Sequence, residues 1–316
     1  MMGMEGKDSG PAEAGTSVVT GAFGFSGQEI AKKLLRQGEN VRTLTNHARP
    51  ELPIYRKVQL FPLDFEKPEE LTASMRGASV LYNTYWVRFS YGRTTHERAI
   101  RNTLILIRAA EAAGVKRIVH VSITNPALNS PLTYFRGKAE VEQAIQQSSL
   151  SYAILRPAVL FGNGDILINN IAFLLRHSPV FAIPGKGDYR IQPIFVGDLA
   201  ELAVESGRRA DNFLIDAVGP EIYAYTDMVK LIRSAIGSKS LMVRVPPALL
   251  SQASRVLGAM LRDVVLTDDE IQGLMADLLV SHAPPTGRTS LAEWVQSHCG
   301  NIGRSYASEL ARHYPI

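Results

Sequence analysis

Thr20-Gly21-Ala22-Phe23-Gly24-Phe25-Ser26-Gly27 reads TGxxGxxG and follows Ser17-Val18-Val19, a short β-branched run. Behind it Ile30, Ala31, Leu34 and Leu35 share one helical face that closes at Gly38. Strand, glycine turn and helix is the context in which such glycines form a dinucleotide site. Gly21 permits the tight turn, Gly24 lets the backbone approach a pyrophosphate, and Gly27 lets the helix pack close to the strand. The helix start offers free N–H groups and a positive dipole end to phosphates. A glycine turn without a ligand is the alternative, and the two fitting flanks argue against it.

Outward from this turn, strand-like and helix-like segments alternate to about residue 160, the pattern of a doubly wound parallel α/β sheet. Expected strands are 17–20, 41–45, 58–63, 79–83, 117–122 and 151–155, with helices over 100–113 and 134–147. Beyond Arg156-Pro157 the alternation loosens, with helices expected over 169–176 and 227–236 and one further strand over 213–218. Thr267 with Glu270, and Ser290 with Glu293, are capping boxes ahead of apolar helical stripes. Another stripe runs from Leu249 to Leu261. Burial against the sheet is its expected use, and a membrane surface or partner is the alternative. The expected organisation is a lead-in over 1–15, a Rossmann domain over 16–160, and a smaller, mostly helical substrate-side region over 161–316 interwoven with it.

The chain has 316 residues, 46% of them hydrophobic, enough for a substantial core. Its 34 basic and 30 acidic side chains leave +4, and no basic block suggests a nucleic-acid groove. The lone Cys299 excludes an internal disulfide and fits a reducing cytoplasm. No apolar run approaches a membrane span, the first residues lack the apolar core of a signal peptide, and the seven histidines show no metal-ligand spacing. A small-molecule substrate is expected, and a homodimer is compatible.

Tyr134-Phe135-Arg136-Gly137-Lys138 places Tyr134 and Lys138 on one helical face. A lysine near a tyrosine favours phenolate and makes the phenol a usable acid or base. A surface Tyr–Lys pair is the alternative. Val119-His120-Val121-Ser122 ends twelve positions earlier with a serine at a strand's carboxyl end, where open α/β sheets bind ligands.

Here the chain resembles the short-chain dehydrogenase/reductase superfamily, in its extended and atypical branch of NmrA-like proteins, sugar-nucleotide epimerases and the reductase-like accessory subunit of complex I. The resemblance covers about residues 16 to 235 and rests on TGAFGFSG, AAEAAGVKRIVHVS, YFRGKAEVE, SYAILRPAVLFG and PIFVGDLA. It implies an NAD(P)-dependent oxidoreductase or epimerase acting on a carbonyl or secondary alcohol. Ser122 would orient the substrate oxygen, Tyr134 would exchange the proton, and Lys138 would bind the nicotinamide ribose and tune the tyrosine. Asp198 would support the fold. Many atypical relatives only bind cofactor, so a regulatory or assembly protein without turnover is the second reading. The family's helix asparagine aligns with Ala99, and Asn102 lies one turn on.

No carboxylate ends the second strand, where one would accept the ribose hydroxyls of NAD. Asn46, His47 and Arg49 stand there instead, so NADP is preferred over NAD, with a solvated loop as the alternative. By resemblance Asp64 would meet the adenine amino group and Phe65 the ring, although Asp64 could simply cap the next turn. The remaining expected cofactor contacts are Phe23, Phe25, Asn83, Thr84 and Pro157. After the fourth strand, Tyr85, Trp86 and Arg88 open an aromatic loop read as substrate wall or as loop core. Asn169 and Arg190 are polar candidates on two other walls.

Overall fold

In the computed structural model, which describes residues 15–313, β1 (Thr16–Thr20) is a β-branched strand buried from Ser17 onward. A strand covered on both faces must be apolar throughout, and parallel sheets are of this kind. It lies between β2 (Asn40–Leu44) and β4 (Val80–Asn83), parallel to both, with Val18 opposite Arg42 and Leu81. The sheet has seven strands, in the order β11-β6-β5-β4-β1-β2-β3. The others are β3 (Gln59–Phe61), β5 (Arg117–Val121), β6 (Ser151–Pro157) and β11 (Phe213–Ala217). Strand order reverses at β1, so a crevice opens there beyond the carboxyl ends of β1 and β4.

Helices cover both faces. On one, α1 (Phe25–Arg36) lays Ile30, Ala31 and Leu34 against Leu199, Ala203 and Val204 of α6 (Val196–Gly207). On the other, α2 (Pro68–Met75), α3 (His96–Ala112) and α4 (Thr133–Gln147) bury Leu71, Leu106 and Ile145. Each such aliphatic side chain gains about 1.5–3 kcal/mol over exposure. The sequence pattern starts α3 at Ile100, but the helix begins one turn earlier. Thr95 caps it by accepting the Arg98 N–H, and that first turn is too polar to show a periodic stripe.

A second core lies outside the sheet. It joins β7 (Val159–Phe161), α5 (Leu167–His177), β8 (Val180–Pro184), α7 (Tyr225–Ala235) and α10 (Leu291–His298) through Phe161, Ile171, Ile183, Met228 and Trp294. Short strands β9 (Arg190–Ile191), β10 (Pro193–Phe195) and β12 (Tyr223–Ala224) brace it, and β13 (Leu241–Val245) pairs with β8. The chain then forms α8 (Pro247–Leu261), α9 (Asp268–Met275) and, after α10, α11 (Glu309–His313). Thr267 and Glu270 complete both halves of the capping box at α9. Of the α8 stripe, Leu249 is exposed, while the side chains of Ala253, Val256, Leu257 and Met260 lie outside the described residues, as does nearly all of the expected lead-in. Asp198 accepts the N–H groups of Arg288 and Thr289 and the Thr289 hydroxyl, pinning the α10 approach to the sheet.

Candidate active site

The glycine turn is closed mostly by backbone, with the Ala22 N–H donating to Thr43 Oγ1 at 3.1 Å. Gly21 adopts a positive φ of 65°, its N–H bonds Leu44 O at 3.0 Å, and its carbonyl accepts the Gly24 N–H at 2.8 Å. A β-carbon at Gly27 would collide with the Gly21 carbonyl, and one at Gly24 would stand 3.2 Å from it. The first turn of α1 carries no acidic side chain, so its N–H groups and dipole face the crevice unopposed. This backbone cradle, which side chains would fill, is what a dinucleotide pyrophosphate needs.

The crevice is a cleft of about 550 Å³. Gly21, Phe23, Gly24, Phe25, Gly27, Asn46, His47, Arg49, Asp64, Phe65 and Thr84 all line it. Several also serve the fold. Asn46 bridges the Leu63 backbone through both amide atoms. Asp64 accepts the Glu66 N–H, capping its turn while facing the cleft. Phe65 lies 5.0 Å from the Tyr85 ring. Asn83 and Pro157 stand behind the wall. Buried Asn83 accepts from Thr20 and meets His120 Nδ1 at 3.0 Å, tying together the ends of β1, β4 and β5.

Beyond the Tyr134 end of the cleft lies a second cavity of about 580 Å³, mostly apolar. Ile123, Phe135, Leu160, Leu167, Leu266 and Leu274 are among its walls. Tyr134, Arg88, Phe25, Glu309 and Arg312 line both spaces. Tyr134 therefore stands in the partition. Its ring is held edge-on by Trp86 at 5.8 Å and His96 at 5.7 Å. Burial pushes its phenol above the usual tyrosine range, Glu270 adds to this, and Arg88 opposes it.

The other two members of the expected triad face inward. Ser122 donates its hydroxyl to Glu142, which forms a two-pronged ion pair with Arg156. Lys138 is buried, donates to Val121 O at 2.8 Å, and places Nζ 4.5 Å from the Trp86 ring centre. Burial pulls this ammonium down to about 7, against the pull of Glu142. The charges that reach the Tyr134 phenol come from α9, α11 and the aromatic loop, and Trp86 packs on both Tyr134 and Lys138.

Of the expected substrate residues, Tyr85, Trp86 and Arg88 line the cleft. Arg88 is bound to Glu270 and Val265 O and pairs with Glu309; burial works against its charge, and the two carboxylates overcome this. Asn169 instead bonds Ser305 O and the Gly303 N–H, and Arg190 pairs with Asp277 on the surface. Sequence reasoning missed His96, Glu270, Glu309 and Arg312. His96 meets Thr133 Oγ1 at 2.9 Å, and burial lowers its pKa. The only local signal was the Thr267–Glu270 capping box, and it said nothing of Arg88. Among the described residues no His, Cys, Asp or Glu group could hold a metal.

Residues 21–172 match the model of a family described as NAD(P)H-binding. The chain is 24% identical over 84% of its length to subunit 9 of the NADH dehydrogenase (ubiquinone) 1 alpha subcomplex of Arabidopsis thaliana, covering 71% of that protein. It is 26% identical to a ceramide reductase of Caulobacter vibrioides, covering 77% of each chain. Its fold matches an NADPH-dependent quinone oxidoreductase of Escherichia coli with a TM-score of 0.73, 21% identity, and coverage of 90% of this chain and all of that one.

Proposed function

We propose that this chain, an NAD(P)H-binding Rossmann protein similar to the extended short-chain dehydrogenases/reductases, reduces the carbonyl of an uncharged, apolar substrate. The observation that carries the reading is the place of Tyr134, in the partition between a nucleotide cradle and an apolar cavity. A dinucleotide bound in the cleft would supply the hydride. Gly21, Gly24, Gly27 and Thr84 would hold it, with Arg49 and Arg312 on the side that favours NADP. Tyr134 gives its phenolic proton to the substrate oxygen as the carbonyl becomes an alcohol, and regains a proton from solvent in the cleft. Burial keeps this phenol protonated, so it carries the proton that the reduction needs, while the raised pKa makes it a weaker acid than a free tyrosine. Trp86 and His96 fix its ring.

The cavity's charges support the substrate class. Asp165, Asp268, Asp269, Glu270 and Glu309 line it, against Arg88 and Arg312. Arg88 is committed to Glu270, and Arg312 donates to Gly164 O. A diphosphate entering there would meet five carboxyl groups against two guanidinium groups, which disfavours nucleotide sugars and their epimerisation. The ceramide reductase is named for an apolar substrate. The reading includes a cytoplasmic setting, on the lone Cys299, and leaves a homodimer compatible.

Oxidation of NADPH by a panel of long-chain ketones, aldehydes and quinones tests the proposal. Turnover of apolar members and none of nucleotide sugars is the expected result. A second reading, a dinucleotide-binding assembly or regulatory protein, is favoured by the commitment of Ser122 and Lys138 to internal partners and by the complex I subunit relative. Tight NADPH binding with no turnover of any panel member would select it.

A further inference from the structure

The 34 basic and 30 acidic side chains are not evenly spread. Two stretches, 166–187 and 228–262, contain no aspartate or glutamate and together hold eight lysines and arginines. The remainder then has 26 basic residues against all 30 acidic ones, so the sign of the net charge reverses outside these stretches.

The fold brings the two stretches together, each supplying one strand of the β8–β13 pair. Val180 is opposite Leu241, and Ala182 opposite Val243. Partners in a ladder face the same side, and successive residues alternate. Phe181, Ile183 and Met242 point into the second core. Val180, Ala182, Leu241 and Val243 therefore face outward, and none is polar. Val180 is 47% exposed, Leu241 64% and Val243 43%, and Leu249 at the start of the adjoining α8 is 56% exposed. Lys239, exposed, leads into this strip, and Arg244, opposite Ile183 on the other face of the ladder but exposed, stands at its rim. Contiguous exposed apolar surface marks an interaction site.

We propose that this face seats the protein peripherally on an anionic lipid surface. The charge decides between occupants. A second copy would present the same cationic surroundings across a two-fold axis and repel. An anionic bilayer offers negative headgroups to the lysines and arginines and an apolar boundary to the leucine and valines. Among the described residues no helix is long and apolar enough to cross a membrane, so the contact is superficial.

Sedimentation of the full chain with vesicles tests this, comparing phosphatidylcholine alone with phosphatidylcholine mixed with phosphatidylglycerol. Binding to the mixed vesicles only, weakened by salt, is expected. Leu241→Asp with Val243→Asp should abolish it while NADPH affinity stays unchanged. Lys239→Gln and Arg244→Gln, at exposed positions that fold readily, should each weaken it about fivefold. The proposal is overturned if the mixed vesicles pellet no protein, if neutral vesicles pellet as much, or if both sets of variants bind like the original chain. It is equally overturned if vesicle-free ultracentrifugation shows a dimer that the aspartates dissociate, or if an acidic protein, and not lipid, is what the lysine and arginine variants fail to hold.

Discussion

The two ends of the cleft are built by different means. At the pyrophosphate end, the turn from Gly21 to Gly27 is shaped mostly by its own backbone and leans on β2 at two points: one positive φ, the Gly24 N–H to Gly21 O bond, a helix that approaches because Gly27 has no β-carbon, and bonds to Leu44 O and Thr43 Oγ1. At the reacting end, Tyr134 takes its setting from other elements. Trp86 and His96 hold its ring, and Glu270, Arg88 and Glu309 set its electrostatics from up to 175 residues away in sequence. A site made of backbone is nearly complete within its motif and the strand beside it, whereas a site made of side chains is complete only in the fold. The first should fail as a unit when one atom is added, and the second should come apart into separable contributions.

Gly27→Val is the severest test of the first half. Its side chain would drive α1 away from the Gly21 carbonyl, so NADPH binding should be lost in calorimetric titration, with about 1–3 kcal/mol of stability lost to overpacking. Retained affinity would break the comparison at its stronger side. Tyr134→Phe tests the second half. It keeps the ring and its edge contacts but removes the proton, so turnover should fall by about a hundred- to ten-thousandfold, with NADPH affinity unchanged. Full activity on the true substrate would remove Tyr134 from the chemistry and leave the nucleotide site intact.

The same division explains what could be read from the chain. Six expected strands and the strand over 213–218 all appear in one parallel sheet; the central ones are buried and carry a β-branched, apolar signature of their own, while the edge strands β3 and β11 are more exposed. The glycine cradle was equally legible. Strands β7, β8, β9, β10, β12 and β13 were not, since two to five residues without strong alternation carry no periodic signal. At the other end, Tyr134, Trp86 and Arg88, singled out by residue type, line the cleft. The inward turn of Ser122 toward Glu142, and of Lys138 toward Val121 O, depends on partners that the Tyr-x-x-x-Lys spacing does not specify. His96, Glu309 and Arg312 reach the site by tertiary packing alone.

Lys138 offers a pH test of that inward turn. Its folded pKa, pulled down to about 7, lies below that of a free lysine, so between these values the unfolded chain binds more protons than the folded one. Lys138 should therefore make stability rise as pH increases from about 7 toward 10. Lys138→Met should flatten that rise in thermal melts and gain stability at the acid end. An unchanged profile would mean that the ammonium is solvated and not held behind Trp86. Ser122→Ala removes one hydrogen bond to the Glu142 carboxylate and should cost about 1.5–3 kcal/mol in denaturant unfolding. A loss of turnover with no loss of stability would instead give Ser122 the substrate-orienting role that the motif implies.

The smallest effect belongs to cofactor choice, where backbone and side-chain recognition meet. Arg49 lines the cleft, with Glu51 only at 3.9 Å, and Arg312 approaches from α11. Burial lowers the pKa of Arg312, Glu309 opposes this, and the nearby Arg49 lowers it again, so the two guanidinium groups repel across this part of the cleft with Glu309 offsetting part of the effect. An anion between them would relieve the repulsion and gain charge-assisted hydrogen bonds, and the 2′-phosphate is the group that NADP has and NAD lacks. Arg49→Ala should accordingly weaken NADPH by about tenfold more than NADH, the scale of one such bond. The pyrophosphate cradle is common to both nucleotides, so NADH affinity should move little. Parallel titrations of both nucleotides decide the matter. Equal losses would mean that Arg49 contributes only a diffuse field, and tighter NADH binding by the unaltered chain would reverse the preference altogether.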